Sequence, residues 1–439
     1  MTAGDGQSNR ADAARERDNF IPVRKTDILD ALVDHGQLAS EAEREKFRHV
    51  CRLLAAIYHY EYFDRLEKLR HAYFYFNPEL DARARFEPAA LERAYADLIE
   101  SFTAVLKGAN FVEMSQAEIE NAHRARAVSR VAIKAPVEDF REVRFFRRGR
   151  HQERVEVSSW YGLRKRTIEA EIHDDVVLFV AMKPETNGTS KRERKRIARR
   201  QIRPGSVLIK YFRNIASWDL NALFPNVRVV MSTFDKLFLG VPALAGGVPI
   251  LLNLASTVTV LFLVIGFYLG ISGAVQEDQM KTAFAAMSGL VALGGFIMRQ
   301  WMKYQRQSLM YQKELTDNVY FRNVNNNAGI FDYIIGAAEE QECKEAFLAY
   351  YFLSTAPAAP TQGELDRHIE GWLKDTFALD LDFEVEDALR KLERLGLLKR
   401  DGGRLSVPPP AEALARLDRV WDDYFQFSAA SAGAMAARA

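Results

Sequence analysis

His173, Asp174 and Asp175 stand side by side as the one compact cluster of histidine and carboxylate in this sequence. Such a trio can ligate a metal or move a proton, but both tasks draw on partners at short spacing. No second histidine lies nearby in sequence, and Asp174-Asp175 reads better as the tip of a hairpin turn. His59 and His71 share a face only if the helix expected there stays straight, so core or surface roles are expected for both. The two cysteines, Cys51 and Cys343, lie far apart. That excludes a disulfide scaffold, a zinc ribbon and a CxxC redox site, and it suits a reducing compartment. There is no P-loop, dinucleotide glycine fingerprint, GxSxG elbow, HExxH or EF-hand loop. The expectation is no catalytic residue, no cofactor and no metal.

One more cluster has chemistry to offer. Lys191, Arg192, Arg194, Lys195, Arg196, Arg199, Arg200 and Arg203 crowd into thirteen residues with a single acid. Near a membrane each such residue attracts anionic lipid head groups by ~1 kcal/mol. A solvated loop or helix face is the plain alternative. A nucleic-acid surface is disfavoured, because no aromatic residues are interleaved.

The elements that position these residues follow from the pattern. The chain has 439 residues, enough for several domains, and 60 basic against 59 acidic residues argue for no charged partner overall. A mean hydropathy of −0.21 reads as soluble, yet it hides 40 uncharged residues from Leu237 to Gln276 and 17 more from Thr282 to Met298. A membrane span needs ~20 apolar residues. Pro242, Gly246, Gly247 and Pro249 divide the first run, so spans are expected at about 248–271 and 281–299. Gly266 with Gly270, and Ala285 with Gly289, place small residues where two helices can approach closely in lipid. Lys236 before this hairpin and Arg299, Lys303 and Arg306 after it put both large soluble parts in the cytoplasm. Neither span contains a charged residue in its interior, which weakens a transport reading.

The soluble parts read as follows. Residues 1–18 are expected to be disordered and 19–135 to form a helical domain, with Thr26 capping a short helix and Ser40-Glu43 a capping box. Eight aromatics between Tyr58 and Phe76 are expected in its core. A small α+β module covers 136–236, with short strands at Val143–Phe146, Arg154–Val157, Thr167–Ile172, Val176–Met182, Val207–Phe212 and Val227–Met231. After the hairpin region at 237–300 comes a helical connector (301–340). A winged-helix-like domain (341–427) follows, with helices at Glu345–Phe352, Gln362–Phe377 and Glu384–Leu395, a glycine-turned wing and a last amphipathic helix. Residues 428–439 form a disordered tail.

Three blocks carry a family resemblance. RDNFIPVRKTDILDALV (Arg17–Val33), IKYFRNIASWDLNALFP (Ile209–Pro225) and VNNNAGIFDYIIGAAEEQECKEAFLAYYFL (Val324–Leu353) resemble the transmembrane-protein-143-like family, a domain of unknown function found in bacteria, plants and animal mitochondria. The resemblance implies a membrane protein with large soluble parts and no established activity, so it transfers no catalytic residue. The acids among the first nineteen residues fit a mitochondrial transit peptide poorly and favour a bacterial inner membrane over a mitochondrial one.

The expectation is therefore a multidomain α+β membrane protein with a two-helix transmembrane hairpin, non-enzymatic, both termini cytoplasmic. Its partners would be the lipid bilayer, anionic head groups, a second copy or another protein. The alternatives are a membrane-tethered nucleic-acid binder acting through the winged helix, or an oligomeric pore or transport accessory.

Overall fold

A computed structural model describes residues 17–80, 86–125, 131–134, 137–159, 164–184, 202–225, 227–231, 262, 264–267, 269–270 and 276–424. In chain order the first elements are α1 (Lys25–Asp34), α2 (Glu41–Phe74), α3 (Pro88–Gly108), β1 (Val112–Glu113), α4 (Gln116–Ala125) and β2 (Val131–Lys134). Next come β3 (Phe140–Ser159), β4 (Arg164–Met182), β5 (Val207–Ala216), a 3-10 segment at Ser217–Leu223 and β6 (Arg228–Met231). The chain continues with α5 (Glu277–Arg322), β7 (Asn323–Asn326), α6 (Gly329–Thr355), α7 (Gln362–Phe377) and α8 (Val385–Arg394). It ends with β8 (Lys399–Asp401), β9 (Arg404–Ser406) and α9 (Pro410–Asp423). This is a mixed α+β chain in two compact units. One comprises Met1–Gln116, Asp139–Ser217 and Asn323–Ala439, and the other Ala117–Glu138 and Trp218–Arg322.

In the first unit a five-stranded antiparallel sheet runs in the order β1-β3-β4-β5-β7. Helices α1, α2 and α3 and the helices after β7 share one core, in which α6 is central: Ile330, Phe331, Ile334, Ala338, Ala346, Leu348, Tyr350 and Tyr351 are all fully buried. Tyr58, Tyr62, Tyr73 and Phe76 join that core as expected, whereas Phe63 and Phe74 are about half exposed. Ser40 caps α2 by accepting from Glu43 N, while the Glu43 carboxylate reaches the Ala39 N–H rather than that of Ser40. Thr26 caps nothing. The helix already starts at Lys25, and Arg24 precedes it as an uncapped N-terminus paired with Asp27. Gly108 is required by close approach, since an added Cβ would lie 2.5 Å from the Tyr62 hydroxyl. After α6, the helices α7 and α8 and the antiparallel pair β8–β9 follow in sequence, with Lys399 opposite Ser406.

The module expected at 136–236 differs most from its sequence reading. Four of the short strands expected there are two long ones, paired from Phe140↔Met182 to Ser159↔Arg164 with one register shift between Phe140 and Glu142. Asp174-Asp175 is therefore mid-strand and not a turn. The polar residues that seemed to interrupt each strand answer one another across the ladder: Arg148 opposes Asp175 and Arg150 opposes His173. Paired opposite charges can continue a strand, so a polar break need not be a turn.

In the second unit β2 pairs with β6, and α5 is a single helix of 46 residues, ~70 Å long. It covers the second expected span and the connector as far as Arg322. The first expected span lies largely outside the described residues, as do residues 191–201 of the basic segment and the residues after Tyr424.

Candidate functional site

The start of the Arg17–Val33 block acts as a strap. Residues 17–24 carry no helix or strand, so their polar backbone needs partners from elsewhere. Ile21 O accepts from Lys344 Nζ (2.8 Å) and Gln341 Nε2 (3.1 Å), and Asn19 O accepts from Asn110 Nδ2 (2.8 Å). Asp18 O accepts from the Asp382 N–H at 3.0 Å, and Arg17 pairs with Glu370 at 3.0 Å. Phe20 lies beneath the Arg148 guanidinium, 4.3 Å from ring to charge. The strap thereby joins the sheet to α6, α7 and the approach to α8.

Beneath the strap is a buried ionic cluster. Lys391 of α8 reaches Glu342 (2.9 Å), Asp387 (2.8 Å) and Glu345, and Asn110 donates to Glu345 at 3.1 Å. Burial works to neutralise Lys391, but the three carboxylates outweigh it and hold the ammonium well above the usual lysine range. Burial raises Glu345 in turn, opposed by Lys391. Lys344 is different. Burial brings it down to about 8 against the pull of Glu340. These buried charges are matched by protein groups, which is what a low-dielectric interior demands.

The His173 cluster is likewise a cross-strand network. Arg148 Nη2 and Nε both reach Asp175 Oδ2 (2.6 and 3.0 Å), the pair is almost fully buried, and Arg213 Nε reaches the other oxygen at 3.2 Å. The register also brings up a second histidine: His151 Nδ1 lies 2.7 Å from Asp174. Sequence distance concealed that neighbour, although Arg147-Arg148 against Asp174-Asp175 was a readable sign of pairing. Gly149 opposes Asp174 with φ +67°, and the carboxylate occupies the space of a Cβ, 2.2 Å from where one would lie. Ser217 Oγ and His173 Nε2 are 3.1 Å apart, as in a nucleophile–base pair. However, His173 is 2% exposed and the neighbouring Glu171 carboxylate accepts from the serine, so the pair ties the start of the 3-10 segment to β4. Among the described residues no three His, Cys, Asp or Glu converge as a metal site. A groove of about 890 Å³ between α2 and α3 is lined by Glu67, Lys68, Arg93 and Asp97 around Ala72, Ala90 and Ala94. Its mixed charges select no ligand class.

Of the expected membrane-packing residues, Ala285 and Gly289 lie four apart on α5 and so share a face. Gly266 is in the helical residues 264–267, and Gly270 is in the turn beyond them with φ +74°. Within α5, Met280–Lys303 is long and apolar enough to cross a membrane, and 7% of its most apolar window is buried. Phe284, Val291, Ile297 and Trp301 are all more than half exposed. Of the basic segment, Arg203 is described; its carbonyl accepts from the Ser206 hydroxyl at 2.6 Å. Lys191, Arg192, Arg194, Lys195, Arg196, Arg199 and Arg200 lie outside the described residues.

Residues 173–329 match a protein family of unknown function, DUF3754. The match opens at His173 in β4, includes all of α5 and closes at the first residue of α6. No solved structure matches the chain.

Proposed function

We propose that this chain is a membrane-anchored, non-enzymatic protein whose large unit binds a protein partner or the membrane surface. The observation that carries this reading is the Met280–Lys303 stretch of α5, long enough to span and 7% buried in its most apolar window. A core helix of a soluble protein buries such a surface, because leaving it in water costs ~25 cal/mol per Å². We further propose that 248–271 is a partner span, packed on the Ala285–Gly289 face, and that both soluble parts are cytoplasmic at a bacterial inner membrane. The resemblance to the transmembrane-protein-143-like family supports this; a mitochondrial membrane is the alternative. Lys191–Arg203 is then placed to attract anionic head groups.

Cysteine labelling in intact cells tests the topology. A cysteine introduced at Gln276 should react with an impermeant maleimide, and one at Gly188 should not. The reverse pattern refutes the orientation, and equal protection of both sites after lysis refutes the exposed loop.

A second reading has one observation in its favour: α7, α8 and the β8–β9 pair occur in winged-helix order, a layout that can carry a nucleic-acid-reading helix. Its charges argue against that use. Residues 343–407 hold nine basic against twelve acidic residues. Arg390 pairs with Asp387, Arg394 with Glu61, Arg400 with Glu393 and Arg404 with Glu364. Phosphates would have to displace these carboxylates. An anisotropy titration of the full chain with random duplex at low salt should show no binding below tens of micromolar; salt-sensitive micromolar binding would reverse the ranking.

A further inference from the structure

The groove of about 890 Å³ between α2 and α3 joins small residues to an aromatic end. Ala72, Ala90 and Ala94 line it, and small side chains let another backbone come close. At one end the Phe86 ring, 40% exposed, meets that of Tyr75 edge-on at 4.8 Å. Glu67, Asp97 and Glu100 put three carboxylates on its walls, beside Lys68 and Arg93.

The chain itself leads to this groove. The Tyr350 hydroxyl donates to Pro408 O at 3.0 Å, and the Tyr350 ring stacks on Phe47, so α9 starts near the first turns of α2. At its other end the Tyr424 ring lies 4.8 Å from that of Tyr60, and its hydroxyl donates to Glu61 at 2.6 Å. Helix α9 therefore runs alongside α2 in the same direction. Glu61 and the groove residue Lys68 are seven apart on α2, so they share a face two turns, or ~10 Å, apart. The described chain thus ends at Tyr424 on the approach to the groove.

We infer that residues 425–439 dock in the α2–α3 groove of their own chain, as a helix that continues the course of α9. They then cover the first unit, in place of the free tail expected from their composition. Seven of these fifteen residues are alanine, with Phe425, Phe427 and Met435 among the rest. None is acidic, so the segment brings no like charge to Glu67, Asp97 and Glu100. As a helix it reaches ~22 Å, against ~21 Å along α2 from Glu61 to Tyr75. Phe427, Ala430 and Ala434 fall on one helical stripe, small enough beyond the phenylalanine to meet the alanines of the groove. Alanine favours helix, yet a lone helix of this length is marginal in water and is stabilised by burying one face. With no linker to span, the segment meets its own groove at roughly millimolar effective concentration, which favours it over the same segment of a second copy. The inference is independent of the membrane-anchored reading.

The full chain in mild detergent carries Ala94→Cys in the groove or, as a control, Lys46→Cys on the exposed side of α2; Cys51 and Cys343 are buried and do not compete. Maleimide labelling at position 94 should be about tenfold faster in the same chain ended at Tyr424, as for a segment docked about nine-tenths of the time. Ala430→Glu with Ala434→Glu in the full chain should give the same acceleration. A peptide of residues 425–439 should restore protection to the shortened chain, and labelling at position 46 should be alike throughout. Equal labelling of position 94 in the full and shortened chains overturns the inference, and so does a parallel change at position 46, which marks general loosening. Protection that is lost on dilution of the full chain overturns it in favour of a second copy. Protection that appears only with added phosphatidylcholine vesicles overturns it in favour of the bilayer.

Discussion

Helices α6 and α5 are both rich in apolar residues, and they satisfy that character in opposite ways. In α6, sixteen of 27 residues are buried, including Gln341, Lys344 and Glu345, whose polar groups are met by the strap, Asn110 and α8. In α5 the Met280–Lys303 stretch has no ionisable residue between Lys281 and Arg299 and buries 7% of its most apolar window. The contrast teaches that apolar content alone does not decide whether a helix is buried against its own chain. A core helix can afford charges when neighbours pair them, whereas a helix surrounded by lipid has no such neighbours and must omit them.

The largest test breaks the α6 side. Lys391→Met leaves Glu342, Glu345 and Asp387 facing one another without their shared cation, and should destabilise the first unit by ~3–5 kcal/mol in a urea titration followed by tyrosine absorbance. A loss under ~1 kcal/mol would mean that the cluster is wet and the contrast overstated. On the other side, Val291→Arg puts a charge near the middle of the α5 window at an insertion cost of ~3 kcal/mol. The variant should move from the carbonate-resistant membrane pellet to the supernatant or to aggregates; retention in the pellet like the parent chain would remove the membrane reading of α5.

Within the first unit, Gly149→Ala combines a left-handed backbone with displacement of the Asp174 carboxylate, and should cost ~1–2 kcal/mol. Unchanged melting would show that the ladder relaxes there. Lys344 sharpens the comparison through pH. Its folded value of about 8 lies below lysine's ordinary 10.5, so the folded chain binds fewer protons between those values than the unfolded one. Stability is therefore gained as pH rises from about 8 towards 10.5, and that gain is absent below pH 8. Relative to Lys344→Met, the parent chain should become more stable by ~1–2 kcal/mol between pH 7.5 and 9.5; a constant difference would place Lys344 in contact with water. Smallest, Ser40→Ala removes the cap of α2 and should cost ~1 kcal/mol, with no change in membrane retention.

Much of the helical framework was legible from short-range signals. Pro88 opening α3, the Ser40 cap, Gln362–Phe377 as α7 and the glycine turn between β8 and β9 each depend on neighbours a few residues away. The apolar stretch of α5 was legible for the same reason, since composition over twenty residues is local information. The strap, the Lys391 cluster and the long ladder were not. Ile21 and Lys344 are 323 residues apart, and Arg148 meets Asp175 only when β3 and β4 pair in this register.

What the sequence by itself determined, then, is the inventory: helices with their caps, an uncharged segment long enough to span a bilayer, a dense basic segment and the lack of known catalytic motifs. Tertiary structure alone decided which charges are matched. Asp174-Asp175 looks like a turn until Arg148, His151 and Arg213 arrive from other strands, and Glu345 looks like a surface residue until Lys391 closes over it. The reason is physical. Backbone propensity and capping act within one or two turns of chain, whereas the cost of burying a charge is set by whatever the fold brings within ~4 Å of it.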